Sequence, residues 1–212
     1  MKLHIYEHCP YCCRVLMIDG LKQLDIPVNV ILENDVETPT RMIGRKMVPI
    51  LEKDDGTFMG ESMDIVRYLD TRTAPPVLVA APIPAVDDWC RRASGVIYNL
   101  CVPRFTRGHF IELSTPEARA AYIARETRSR GDLDALTAAT PALLEELAPL
   151  LAELEGLVRA PGTDVGESDF QLYPLLRSLS IVKALRFGPK VTAYYDAMGA
   201  ACALEDFSAQ AQ

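Results

Sequence analysis

Cys9-Pro10-Tyr11-Cys12 is the stretch whose residue types and spacing most clearly carry chemistry. Before it, Leu3 and Ile5 alternate with polar neighbours, the pattern of a short strand. After it, small or apolar residues at Cys13, Leu16, Met17, Gly20 and Leu24 recur at helical spacing. Cys9 is therefore expected just ahead of a helix, where unpaired backbone N–H groups and the positive dipole end favour an anionic sulfur. Cysteines in such settings reach pKa values of roughly 3.5–7.5. Two intervening residues on the first helical turn bring the second sulfur within disulfide reach. Pro10 suits the first helical position, because its missing N–H would be unpaired there anyway. The chemistry implied is thiol–disulfide exchange, with Cys9 as attacking thiolate and Cys12 as resolving partner. The competing readings are half a zinc site or two incidental cysteines. A four-ligand zinc site wants a second Cys or His pair at similar spacing. The sequence has none, so no metal is expected.

The remaining cysteines and histidines read as structure more readily than as chemistry. Cys13 is either a second resolving thiol or a small hydrophobe on the apolar face of the helix, and the second reading is preferred. Cys90 and Cys101 lie about three helical turns apart and share one face; with Cys202 they read as core or incidental. His8 precedes the nucleophile and either stabilises its thiolate as a cation or is an ordinary core histidine. His4 reads as a strand side chain and His109 as a loop residue.

Elements must exist to position this motif. Val28 to Leu32 is a β-branched apolar run, expected as a buried strand. Thr38-Pro39 opens a short helix, with Thr38 as cap, and Gly44 ends it. Val48-Pro49-Ile50-Leu51 and Thr57-Phe58-Met59 flank Asp54-Asp55-Gly56, a hairpin signal. Glu61 to Asp70 is helical. The order β-α-β-α-β-β-α follows, its first two strands joined by a right-handed crossover. Pro75, Pro76, Pro82 and Pro84 then mark a linker, after which strand signals vanish. Helices are expected over Ala85 to Cys101 (ended by Pro103), after Thr115-Pro116, along a leucine stripe from Leu143 to Leu157 (kinked or broken at Pro149), and over Phe170 to Leu185 and Pro189 to Leu204. The expected domains are 1–72, a thioredoxin-like α/β unit; 73–84, a linker; and 85–212, all helical.

Composition bounds the partners. The 212 residues are 49% hydrophobic with a net charge of −7, which suits an ordinary globular protein. No basic run marks a nucleic-acid surface, and no apolar stretch is long enough to span a membrane. The first residues lack the apolar core of a secretion signal. Six scattered cysteines do not resemble a secreted disulfide framework, so a reducing cytoplasm is the expected setting.

Cys9-Pro10-Tyr11-Cys12, followed by Met47-Val48-Pro49 and Glu61-Ser62, resembles the glutaredoxins. Glu37-Thr38-Pro39-Thr40-Arg41-Met42 and Glu61-Ser62-Met63-Asp64-Ile65-Val66 are similar to the bacterial glutaredoxin 2 branch. So are Pro103-Arg104-Phe105, Ser114-Thr115-Pro116 and Gln171-Leu172-Tyr173-Pro174-Leu175-Leu176-Arg177, and the resemblance covers nearly the whole chain. It implies a glutathione-transferase-like architecture, a thioredoxin-like α/β domain followed by an all-α domain. It implies glutathione as reductant, and glutathionylated or disulfide-containing proteins as substrates of a monomeric enzyme. It implies a cis bond before Pro49, although from the residues alone a trans edge-strand proline fits equally. The exposed Val48 backbone would then pair with glutathione like an added strand. Glu61 would take the ammonium of the tripeptide and Ser62 its α-carboxylate, with Tyr11 lining the groove. Arg41, Arg45 and Lys46 are candidates for the glycyl carboxylate, or else a solvated basic face. The pattern departs at one helix cap: the branch commonly has Ser or Thr three residues before Asp, whereas Gly166 precedes Asp169 here. Ser168 and Gln171 offer an alternative register. The rival functions are an omega-like glutathione transferase or dehydroascorbate reductase, which usually lack the second cysteine, and a non-enzymatic redox-sensing or metal-binding module.

Overall fold

A computed structural model describes residues 1–162 and 164–212. Strand β1 (Lys2–Ile5) leads into α1 (Pro10–Lys22), β2 (Val28–Val30), α2 (Glu37–Ile43), β3 (Ile50–Glu52), β4 (Phe58–Met59) and α3 (Ser62–Arg72), the order expected. The sheet runs β2-β1-β3-β4. β1 pairs with β2 in parallel, Leu3 opposite Val28, and with β3 antiparallel, Leu3 opposite Leu51. β3 and β4 form the hairpin, and Gly56 at its turn takes a φ of 79° that favours glycine.

Two local expectations change. The run from Val28 to Leu32 yields only three strand residues, at the sheet edge, with Val28 and Asn29 exposed. Its β-branched side chains fit an edge strand as well as a buried one. Helix α2 begins at Glu37 rather than after Thr38, because the Asp35 carboxylate accepts the Thr38 N–H at 2.9 Å. That bond caps the helix from one turn earlier.

Beyond the sheet come α4 (Pro84–Phe105), α5 (Pro116–Arg130), α6 (Leu133–Ala138), α7 (Thr140–Leu154), α8 (Glu167–Leu179) and α9 (Pro189–Cys202). α4 packs on α8, α7 and α6, while α1 crosses between the halves to pack on α8 and α9. That crossing needs Gly20, since a Cβ there would lie 1.9 Å from the Cys202 carbonyl oxygen. Prolines break fewer helices than expected. α4 passes through Pro103 to Phe105, where Arg104 Nη1 donates to the Leu100 carbonyl at 2.6 Å beside the gap. α7 passes through Pro149, and Trp89 Nε1 donates to the Leu150 carbonyl at 2.6 Å. In both, buried side chains on either side hold the helix together at the cost of one backbone bond. The helix expected from Phe170 instead starts at Glu167 and stops at Leu179, and α9 ends at Cys202 rather than Leu204.

The cap of α8 settles on Asp169. The Gly166 N–H donates to its Oδ2 at 2.8 Å, while Ser168 Oγ accepts the Ile83 N–H at 2.8 Å. Gly166 replaces a larger cap because a Cβ would meet the Ala80 carbonyl oxygen at 2.6 Å. The proline-rich segment between the halves is tied down. Lys22 Nζ donates to the carbonyls of Asp70 (2.8 Å), Thr73 (2.6 Å) and Pro75 (2.9 Å), and Asp70 Oδ1 accepts the Val77 N–H at 2.7 Å.

Candidate active site

Cys9 stands immediately before α1 with extended backbone (φ −73°, ψ 123°), and Pro10 is the first helical residue. The Cys13 N–H donates to the Cys9 carbonyl at 2.9 Å, so Cys9 opens the helix without being wound into it. Cys9 is half-buried, Cys12 and Cys13 are fully buried, and all six cysteines are free thiols.

The two motif sulfurs are driven apart in acidity. The Cys12 thiol donates to the Cys9 sulfur and is the largest influence lowering its pKa to about 7. Burial opposes this, while the charge of His8 and the N–H groups of Cys12 and Tyr11 assist it. Cys12 is pushed well above the ordinary thiol value by burial first, then by the bond and charge of Cys9. The Tyr6 N–H donates to Cys12 Sγ at 3.4 Å and fixes that sulfur under the turn. An accessible acidic thiol thus sits on a buried protonated one. Cys13 is raised to about 11 by burial and faces the core.

Of the other expected residues, Tyr11 and Val48 line the cleft that holds Cys9, whereas Pro49, Glu61 and Ser62 are not among the residues lining it. The Val48–Pro49 bond is cis and directly precedes β3. Val48 and Tyr11 share with Cys9 a cleft of about 350 Å³, closed from the helical half by Tyr98, Phe105 and Tyr122. Ser62 begins α3, and its Oγ accepts from Arg14 Nη1 at 3.2 Å. Glu61 holds a positive φ of 62° just ahead of that helix, a conformation non-glycine residues adopt rarely. Its exposed carboxylate accepts from Arg45 Nη2 at 2.5 Å. Arg41 lies 3.6 Å from Glu37 and Lys46 2.9 Å from the buried Glu33. Of the three basic candidates, only Lys46 borders the cleft.

Arg14 and Glu112 were not singled out from sequence. Arg14 ties the start of α3 to α8: besides Ser62, it donates to the Phe170 carbonyl at 3.0 Å and to Gln171 Oε1, and its guanidinium lies 4.8 Å over the Tyr11 ring. A charged residue inside the otherwise apolar Cys12–Met17 run was the available signal. Glu112 sits on a short 3-10 turn (Ile111–Leu113) of the helical half and is fully buried. Its Oε1 lies 2.5 Å from His8 Nδ1 and accepts the His8 N–H at 3.0 Å. No local pattern connects residues so far apart in the chain. His4, as expected, lies in a strand, with its ring 3.1 Å from Glu52 and from Asn29. Among the described residues, no cluster of three or more His, Cys, Asp or Glu side chains could hold a metal, and no helix is long and apolar enough to cross a membrane.

Comparison with known proteins agrees in both halves. Residues 3–76 match the family of the glutathione S-transferase N-terminal domain, and residues 85–211 that of the glutaredoxin 2 C-terminal domain. The chain is 41% identical over 201 residues to glutaredoxin 2 of Escherichia coli K12, covering 93% of this chain and 94% of that protein. The crystal structure of Salmonella typhimurium glutaredoxin 2, solved with glutathione, superposes with a TM-score of 0.96 at 39% identity, covering 100% of this chain and 98% of the other. A glutathione transferase of Phanerochaete chrysosporium shares the fold, with a TM-score of 0.72 at 17% identity over 97% of this chain and 98% of its own. With the helical half matched to a domain of its own kind and the thiol pair intact at the head of α1, the chain belongs to the glutaredoxin 2 family.

Proposed function

We propose that this chain is a glutathione-dependent thiol–disulfide oxidoreductase that reduces protein–glutathione mixed disulfides and protein disulfides. The observation that carries this is the position of Cys9, half-buried at the head of α1 in a cleft it shares with Val48, with the buried Cys12 one helical turn behind it.

The Cys9 thiolate attacks the glutathione sulfur of a mixed disulfide. The Cys9–glutathione bond forms, the target leaves as its thiolate, and that thiolate takes a proton from water. A second glutathione thiolate then attacks the glutathione held on Cys9, releasing oxidised glutathione and the Cys9 thiolate. On a protein disulfide, Cys9 forms a mixed disulfide with the target. Cys12 gives its proton to the departing thiolate and closes the Cys9–Cys12 disulfide, which two glutathiones reopen. Cys12 serves this order of events because it stays protonated until Cys9 has been consumed.

Glutathione lies along the Val48 backbone as an added strand, with Pro49 keeping that backbone turned to the cleft. Its α-carboxylate meets the N–H groups and hydroxyl at the Ser62 end of α3, its ammonium meets Glu61, and Tyr11 lines the groove. Such docking supplies proximity, holding the incoming sulfur in line with Cys9. The working unit is a monomer acting in the cytoplasm on glutathionylated partners. It divides into a thioredoxin-like domain over 1–72, a connector over 73–84 and a helical domain over 85–212.

The test is turnover of a glutathionylated peptide with oxidised glutathione read through glutathione reductase. Cys12→Ser protein is expected to keep this route. Conjugation of glutathione to an electrophile without disulfide reduction would overturn the assignment in favour of a transferase.

A further inference from the structure

The turn over Ile111–Leu113 belongs to the helical half, yet it is bonded to the loop that precedes Cys9 and to the loop that follows β2. Glu112 Oε1 accepts the His8 N–H, the Ile111 N–H donates to Glu7 Oε2 at 2.7 Å, and the Glu33 N–H donates to the Glu112 carbonyl at 2.9 Å. A buried carboxylate is costly unless a positive charge and hydrogen bonds compensate it. Glu112 Oε2 has no partner among the described residues. Compensation therefore falls on the His8 ring, 2.5 Å from Oε1. That ring is held by Tyr122 edge-on (centroids 4.8 Å), Phe105 (5.1 Å) and Phe110 (5.6 Å), all from the helical half, and His8 lines the same cleft as Cys9, its neighbour in the chain.

We propose that Glu112 is a positioning residue for the reaction: it fixes the His8 ring in the cleft it shares with Cys9, so that docking of the helical half tunes the nucleophile. This rests on Cys9 as the nucleophile. Burial alone would raise the Glu112 carboxyl, but its bonds and charge interaction with His8 outweigh that and hold it below the ordinary range. His8 in turn favours the Cys9 thiolate. The remaining titratable groups around the ring do not substitute for it. Tyr6 and Tyr122 are pushed upward by burial and stay neutral, Cys12 stays protonated, and Arg125 lies beyond Tyr122, 5.1 Å from its ring, paired at 2.9 Å with Glu33. The plain alternative is a buried staple between the halves, with no effect on the thiol.

The test measures Cys9 alkylation against pH in four proteins: the parent, Glu112→Gln, His8→Gln and the double variant. Glutamine keeps an acceptor for the His8 N–H while removing the charge. Each single variant is expected to move the Cys9 midpoint upward by about half a unit or more, and the double variant no further, because both remove one interaction. A folded Glu112→Gln protein with an unmoved midpoint, or additive shifts in the double variant, would overturn the proposal. A parent in which Cys9 shows no acidic midpoint would instead overturn the reading of Cys9 itself. Should Glu112→Gln fail to fold, the ring nitrogen resonances of His8 in labelled parent protein decide. Ring resonances that follow the Cys9 titration support the proposal, and an unresponsive ring contradicts it.

Discussion

The head of α1 and the interior of the helical half hold the same side chain in opposite conditions. At the head of α1, Cys9 has a thiol donor beneath it and N–H groups around it, and its pKa falls to about 7. In the helical half, burial raises Cys90 to about 12 and pushes Cys101 and Cys202 higher still. Cys101 Sγ donates to the Ser178 carbonyl at 3.2 Å, as a protonated thiol does. A nucleophile is thus made by position and neighbours: an end of a helix supplies unpaired donors, whereas the core supplies only desolvation.

The contrast breaks most completely if its acidic member is removed. Cys9→Ser is expected to lower disulfide turnover by more than ~100-fold, with the other five thiols unable to substitute, in the coupled glutathione reductase assay. Smaller is the effect expected from weakening the proposed glutathione contact. Ser62→Ala should raise KM for glutathione by about tenfold with little change in kcat, because a hydrogen bond to a charged group is lost in ground and transition states alike. Smaller again is loss of the donor under Cys9. Cys12→Ala should keep the monothiol route but raise the Cys9 midpoint toward the ordinary thiol value near 9. At physiological pH this lowers the thiolate fraction, so alkylation by iodoacetamide slows. Cys90→Ala should leave turnover within about twofold, since a buried protonated thiol packs like any small hydrophobe.

The sign of one pH effect on stability follows from the same values. Cys9 titrates near 7 in the folded protein against 9 in its absence. The unfolded chain therefore binds more protons between these values, and the contribution of Cys9 to stability grows as pH rises through that window. Reduced protein compared with Cys9→Ser by thermal melting should show it.

Local patterns carried most of the first domain. The strand, the CxxC motif and the helix behind it follow from alternation, helix-start chemistry and period, and the hairpin follows from Asp54-Asp55-Gly56. Pro103 and Pro149 do not end their helices, because flanking packing outweighs one lost hydrogen bond. Edge position was not legible at Val28–Val30, since β-branched residues serve either place. The need for glycine at Gly20 and Gly166 is not local, since a backbone from elsewhere in the chain presses on each. The site divides in the same way. Cys9, Cys12, Val48, Pro49, Glu61 and Ser62 lie in short recognisable runs, whereas Arg14 and Glu112 meet partners far away in the chain through contacts that no local spacing encodes.

Mapping alkylation of every cysteine in the reduced native protein, by mass spectrometry from about pH 5 to about pH 10, tests the central claim most directly. The account predicts that Cys9 is modified first, with a midpoint near 7, while Cys12 and the four remaining thiols stay unmodified until far higher pH. A Cys9 midpoint at the ordinary thiol value, or modification of Cys12 alongside it, would contradict the account.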